Sequence, residues 1–283
     1  MRSPLHGRVI ILTGASSGFG ALTARRLAAE GARLVLVARR RERLEALAAE
    51  LSAEAAVEAG DVTVPDDRRR VVDTALQTFG RIDVLINNAG MGRLDWLKNL
   101  TPAEIDRMID VNFRAPLQLT RLVVPHMLRA GRGHIVHVAS LASFIAMPPY
   151  VIYAATKFGL KGFADALRRE VEPLGIRVTA VYPAPAWTEF PDANGESVFR
   201  PFFSSRRWLF LDPERVAGAI VRALKRPRAH VYVPGWIRLL IQAEALSPRL
   251  ADVVIARWIT RPHWQAETRR QNLEGERDLV DRD

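Results

Sequence analysis

The 283-residue chain reads as an α/β fold: a doubly wound parallel sheet of about seven strands with a C-terminal helical extension. Three observations predict it. Short apolar runs alternate with helical patterns six times between Arg8 and Tyr182. The runs are apolar in succession, as in strands covered on both faces, where a half-exposed strand would alternate. No stretch reads as a linker or an internal repeat, so residues 1–262 are expected to form one domain, with a polar tail at 263–283.

The elements follow in order. Arg8-Val-Ile-Ile-Leu12 is a strand that opens into Thr13-Gly-Ala-Ser-Ser-Gly-Phe-Gly20, and the helix after it, 21–30, stops at Gly31. Arg33–Ala38 is the second strand, and the helix from Arg41 to Leu51 sets Leu44, Leu47 and Leu51 on one face. A short strand at 55–58 leads to Gly60-Asp61, and Pro65 starts a helix ending before Gly80. Val84–Ile86 is a strand ending in Asn87-Asn88-Ala89-Gly90, followed by one long helix over 102–129 with Asn112 near its middle. His134–Val138 ends at Ser140; Tyr150–Val171 is helical; Arg177–Tyr182 is the sixth strand. Residues 184–212 break the pattern with Trp187, Phe190, Phe199, Phe202, Phe203, Trp208 and Phe210. Asp212-Pro213 starts a helix to about Lys225, Val231–Val233 is a seventh strand, and 236–259 is expected to be mostly helical.

Composition narrows the classes. Hydrophobic residues make up 48% and charged residues 25%, the balance of a folded globular chain. Having no cysteine, the chain excludes disulfides, thiolate metal sites and cysteine nucleophiles, which fits a cytoplasmic location. The six histidines lack metal-ligand spacing with carboxylates, so no metal is expected. The N-terminal apolar run Val9–Leu12 is too short for a signal-peptide core, and no uncharged stretch approaches the ~20 residues of a spanning helix. The net charge of +10 suits an anionic surface, or it is an arginine-rich solvated exterior; +6 of it lies in residues 200–283. Nucleic acid is not an expected partner.

The candidate chemistry sits at strand ends. Gly14, Gly18 and Gly20 between a strand and a helix let the backbone approach a pyrophosphate at a helix N-terminus, with Ser16, Ser17 and Phe19 in the same loop. Nineteen residues past Gly20, where a carboxylate would hold a ribose 2′-hydroxyl, stands Arg39, with Arg40 and Arg41 behind it; this favours NADP over NAD. Asp61, next to Val62, either meets an adenine edge or caps the turn before Pro65. Tyr153 and Lys157 are one turn apart on one helix face, where an ammonium favours phenolate. Only four of the 41 basic residues are lysine, and one of them is here.

Together, Thr13-Gly14-x-x-x-Gly18-x-Gly20, Asn87-Asn88-Ala89-Gly90, Asn112, Ser140 and Tyr153-x-x-x-Lys157 make the chain resemble the single-domain branch of the short-chain dehydrogenase/reductase family over residues 7–235. The resemblance implies a Rossmann fold and hydride transfer between a nicotinamide and a carbonyl or alcohol carbon. It implies Tyr153 as proton donor and acceptor, Lys157 lowering its pKa and holding the nicotinamide ribose, and Ser140 bonding the substrate oxygen. Asn112 would anchor a water joining Lys157 to solvent. Asn88, Ala89 and Gly90 would wall the adenine ribose, and Pro183 and Thr188 would flank the nicotinamide. The chain departs from the family at Ala184, where glycine is usual, and at Ala139, where a second serine is common.

The aromatic stretch at 184–212 is expected to be a lid over a bulky apolar substrate, or core packing. Residues 236–258, with Arg238, Arg249 and Arg257 among leucines and isoleucines, either touch a membrane surface or pack in the core or in a homodimer or homotetramer. Two other readings stay open beside the enzyme: a catalytically silent NADP-binding regulatory protein, and a reductase of lipid-like substrates held at a membrane surface.

Overall fold

β1 (Val9–Thr13) is buried along its whole length, and its side chains divide between two cores. Ile10 and Leu12 join one apolar cluster, Val9 and Ile11 the other. A strand flanked by helices on both faces has no polar side, which explains the unbroken apolar run; each buried Ile or Leu contributes ~1.5–3 kcal/mol. The computed structural model describes residues 3–186, 210–262 and 264–265. Trp187, Thr188, most of the expected lid and most of the expected polar tail lie outside the described residues.

Seven parallel strands form one sheet in the order β3-β2-β1-β4-β5-β6-β7, with β2 (Arg33–Ala38), β3 (Ala55–Ala59), β4 (Val84–Asn87), β5 (Gly133–Val138), β6 (Ile176–Pro183) and β7 (His230–Val233). β1 lies between β2 and β4, with Leu12 opposite both Leu36 and Ile86. The chain winds outward one way from β1 and then the other way from β4, which leaves a crevice at the carboxyl ends of these two strands. One face carries α1 (Gly18–Ala29), α2 (Arg41–Glu50) and α7 (Pro213–Lys225); the other carries α3 (Pro65–Phe79), α5 (Ala115–Arg129) and α6 (Val151–Val171).

One helix differs from expectation, and the C-terminal stretch, helical as expected, divides in two. The single helix over 102–129 is α4 (Pro102–Ile109) joined to α5 through a π-turn at Asp110–Arg114, which adds a residue to the turn and holds Asn112. The C-terminal helix is two helices, α8 (Ile237–Leu246) and α9 (Pro248–Ile255). Pro248 explains the break: it lacks a backbone donor and drives Ser247 out of the helical region, to φ −143° and ψ 73°.

β5 carries two buried histidines. His134 bonds Thr179 Oγ1 at 2.8 Å and burial pushes it down to about 4; burial, with the Lys157 charge adding to it, pushes His137 down to about 3. The unfolded chain takes up a proton on each imidazole near pH 6.5, whereas the fold accepts none until about 4 or below. Acid therefore favours unfolding, and stability should fall as pH drops through that window, by on the order of 3 kcal/mol for His134 alone. Urea unfolding measured across the window should show a shallower fall in His134→Gln than in the wild type; identical slopes would assign the loss to other groups.

Candidate active site

The glycine loop leaves β1 at its carboxyl end. Gly14 has φ +67°, and a Cβ there would lie 2.9 Å from Ala89 Cα; a Cβ on Gly20 would lie 2.0 Å from Gly14 O. The first turn of α1 therefore packs directly on the strand end, an approach only glycine allows. Ser17 at the N-cap makes no side-chain capping bond, so the first amides of α1 remain for an anion. Gly20→Ala should give no soluble folded protein, since the clash is with backbone; recovery of a cooperatively unfolding variant would contradict this close approach.

Thr13 ties this loop to the end of β4. Its hydroxyl accepts from the amides of Asn88 and Ala89, both at 3.0 Å, and the Asn88 side chain donates to Thr13 O at 3.0 Å and to Gly14 O at 3.3 Å. Asn88 and Ala89 thus hold the strand end in shape, and a small cleft beside them is lined by Thr13, Val62, Ala89 and Val111 among others. Asp61 bonds within the turn before Pro65 and to Arg107. Its Oδ1 accepts from Thr63 N at 2.9 Å, and its Oδ2 pairs with Arg107 at 2.5 Å. Burial raises the Asp61 carboxyl, but the bonds from Arg107 and Thr63 outweigh it and hold it below the usual range.

Arg39 stands exposed after β2. Its neighbour Arg40, which the sequence pattern placed only in the background, reaches back over the glycine loop: Nη2 donates to Ser16 Oγ at 3.0 Å and to Ser17 Oγ at 2.9 Å. Arg40 and the two hydroxyls form a polar corner at the β1–β2 ends, with Arg39 next to it in the chain.

Ser140, Tyr153, Lys157 and Asn112 meet at the ends of β4 and β5. Ser140 Oγ accepts from Ala142 N at 3.1 Å and is hydrogen-bonded to the Tyr153 side chain. Lys157 is 4% exposed, donates to Val138 O at 3.0 Å and lies 5.5 Å from the centre of the Tyr153 ring. Gly90 packs into this group, since a Cβ on it would lie 3.4 Å from Asn112 Oδ1 and 3.8 Å from Lys157 Nζ. Asn112 is fully buried and clasps the Met91 backbone: Oδ1 accepts from its N at 2.8 Å and Nδ2 donates to its O at 2.7 Å. The π-turn aims this amide at the chain leaving β4.

The expected lowering of the Tyr153 pKa by Lys157 differs from what the chain alone presents. Burial pushes Tyr153 up to about 12 against the opposing bond from Ser140, and burial pushes Lys157 down to about 8. Both groups have lost water, which favours the neutral form of each.

Ala184 accommodates the departure from glycine. Its N donates to Val233 O at 2.8 Å, continuing β6 beside β7, and no described non-glycine residue has a positive φ. Beside Tyr153 lies a wall that the sequence did not announce. Leu94 and Trp96 pack with Tyr150, whose ring centre is 5.5 Å from that of Tyr153.

A doubly wound sheet with a glycine loop at its switch point and a Ser-Tyr-Lys group at the adjoining strand ends defines a dinucleotide-dependent dehydrogenase class. The chain belongs to the short chain dehydrogenase family, whose pattern it matches over residues 8–197, and it is an oxidoreductase of the kind that acts on CH–OH and C=O groups. It is 35% identical over 223 residues to an uncharacterized oxidoreductase of Staphylococcus saprophyticus, covering 78% of this chain and 91% of the relative. A short-chain dehydrogenase from Sphingobium yanoikuyae in complex with NADPH superposes with TM-score 0.73 at 32% identity, over 86% of this chain and 96% of that one. A 3-ketoacyl-(acyl-carrier-protein) reductase from Brucella melitensis complexed with NADH superposes equally, TM-score 0.73 at 32% identity, over 81% and 97%.

Proposed function

We propose that this chain is an NADP-dependent reductase or dehydrogenase of a bulky apolar carbonyl or alcohol, with Tyr153 moving the proton. The observation that carries it is the meeting of Ser140, Tyr153 and Lys157 at the same carboxyl edge of the sheet as the glycine loop and the open N-terminus of α1. The cradle fits a dinucleotide: Gly14 and Gly20 let the first turn of α1 sit on the end of β1, where its uncapped amides suit a pyrophosphate, and Val62 and Ala89 offer an apolar side to adenine. When bound, the nicotinamide supplies or accepts the hydride.

The chain's own residues do the rest. Tyr153 gives its hydroxyl proton to the substrate oxygen in reduction and takes it back in oxidation. Ser140 donates a hydrogen bond to that oxygen. The buried charge of Lys157 stabilises the phenolate left behind, at a strength water would otherwise screen. Asn112 is a positioning residue that fixes the Met91 backbone beside Gly90. Leu94, Trp96 and Tyr150 favour an apolar substrate because they present no charge to pair and exclude water from one side of Tyr153.

The two solved relatives carry different cofactors, so the preference for NADP rests on Arg39 and Arg40. A 2′-phosphate would replace the two serine hydroxyls as the partner of Arg40, in a charge-assisted bond of ~1.5–3 kcal/mol. Arg40→Ala should weaken NADPH binding roughly 10- to 100-fold and leave NADH binding within about twofold. Fluorescence titration with both cofactors checks this, and equal losses would remove Arg40 from phosphate recognition. A screen of aliphatic, aromatic and steroid-like ketones with NADPH tests the substrate class; turnover confined to small charged ketones would overturn it.

A further inference from the structure

We infer that α8 and α9 form a docking face for an anionic phospholipid surface. Exposed large apolar side chains concentrate in these two helices. On α8, Trp236 at the N-cap, Leu239 and Leu240 follow helical spacing and are 59%, 66% and 45% exposed. On α9, Leu250, Val253 and Val254 do the same at 63%, 62% and 49%. Ile237 is the only buried residue of α8, and α9 buries none. Each helix thus turns its apolar stripe outward, the reverse of a helix that seals a core.

Charge selects the occupant. Arg249 is exposed at the edge of the α9 stripe, and the exposed Arg257 follows that stripe in the next turn. By helical periodicity Arg238 on α8 and Asp252 on α9 both fall on the side opposite the stripe, and Glu244 turns partly inward on α8. An apolar stripe edged by arginine, with tryptophan at its start, matches an amphipathic helix lying at a bilayer interface, where tryptophan settles and each basic residue is drawn to anionic headgroups. A second copy of the same face would bring arginine against arginine. The chain's net charge of +10 acts in the same direction.

The face ends beside the candidate active site. Trp264 packs edge-on against Trp96 at 4.7 Å, with Lys98 Nζ 5.3 Å from the centre of its ring. Trp96 belongs to the wall that includes Tyr150. A membrane docked on α8 and α9 would therefore adjoin the substrate wall. Docking itself does not depend on turnover, so binding and activity are read separately.

The test is cosedimentation of the full chain with phosphatidylglycerol vesicles and with phosphatidylcholine vesicles. Partition should be at least ~10-fold higher on phosphatidylglycerol and fall at least ~10-fold between about 0.05 and 0.5 M salt. The double variant Leu239→Glu with Val253→Glu should lose binding by a similar factor while keeping NADPH turnover and thermal midpoint, because both positions are exposed. Equal recovery on both vesicles, or no binding, overturns the proposal. A homodimer that the same double variant dissociates, with no vesicle-bound protein, assigns the face to a second copy and also overturns it.

Discussion

Tyr153→Phe should cut NADPH oxidation with any accepted ketone by at least ~10³-fold while NADPH binding changes by less than about twofold. The substitution removes one oxygen. The ring still packs against Tyr150 and still lies near Lys157, so cofactor sites at α1 and the β2 end are untouched. What disappears is the only proton in the Ser140–Tyr153–Lys157 group whose loss leaves an anion that the adjacent ammonium can stabilise. Steady-state rates at 340 nm together with fluorescence titration separate the two effects. Retained turnover would transfer proton transfer to another group, and lost cofactor binding would mean that Tyr153 is structural.

Lys157→Met should abolish most turnover, at least ~100-fold, and at the same time make the cofactor-free protein more stable. The ammonium is almost wholly buried with the Val138 carbonyl as its hydrogen-bond acceptor, and burial holds it at about 8 against an ordinary 10.5. That difference costs the fold about 3 kcal/mol near neutral pH, of which the hydrogen bond lost on substitution gives back about 1. Methionine fills a similar volume without charge, so the thermal midpoint should rise by a few degrees. The pH dependence has a definite sign. Between about 8 and 10.5 the unfolded chain still holds a proton on Lys157 that the fold has released, so wild-type stability rises with pH relative to the variant. The gap between the two should close through that window in parallel urea titrations. A variant less stable than the wild type at pH 7 would mean that the lysine is a structural pillar.

Most of the sheet could be read from the chain because its physics is local. The apolar run of β1, the glycine loop and the Tyr153–Lys157 spacing each follow from periodicity or from a backbone that only glycine permits. Asn112 was legible as a residue type but its setting was not: a π-turn has no composition signal, and only the Met91 backbone explains the orientation of the amide. Arg40 and Arg39 are equivalent as letters. Which one reaches Ser16 and Ser17 depends on how the chain turns as it leaves β2. The break at Pro248 was written in the sequence and is a local rule that the apolar pattern around it obscured. The wall of Leu94, Trp96 and Tyr150 joins residues more than 50 positions apart, and Trp264 comes from still farther, so no window of sequence contains it. The effect of burial on Tyr153 is hidden in the sequence for a related reason. A neighbouring charge is visible as spacing, whereas burial is a property of the whole fold.

The most direct test of hydride transfer follows the hydrogen itself. NADPH carrying deuterium at both C4 positions of the nicotinamide is incubated with the wild-type protein and each ketone of an apolar panel, and the products are analysed by mass spectrometry and NMR. The expected result is an alcohol with deuterium on its carbinol carbon and NADP in equal amount, absent with Tyr153→Phe. Tight NADPH binding with no labelled alcohol from any ketone would contradict it and would make the chain a cofactor-binding protein without catalysis.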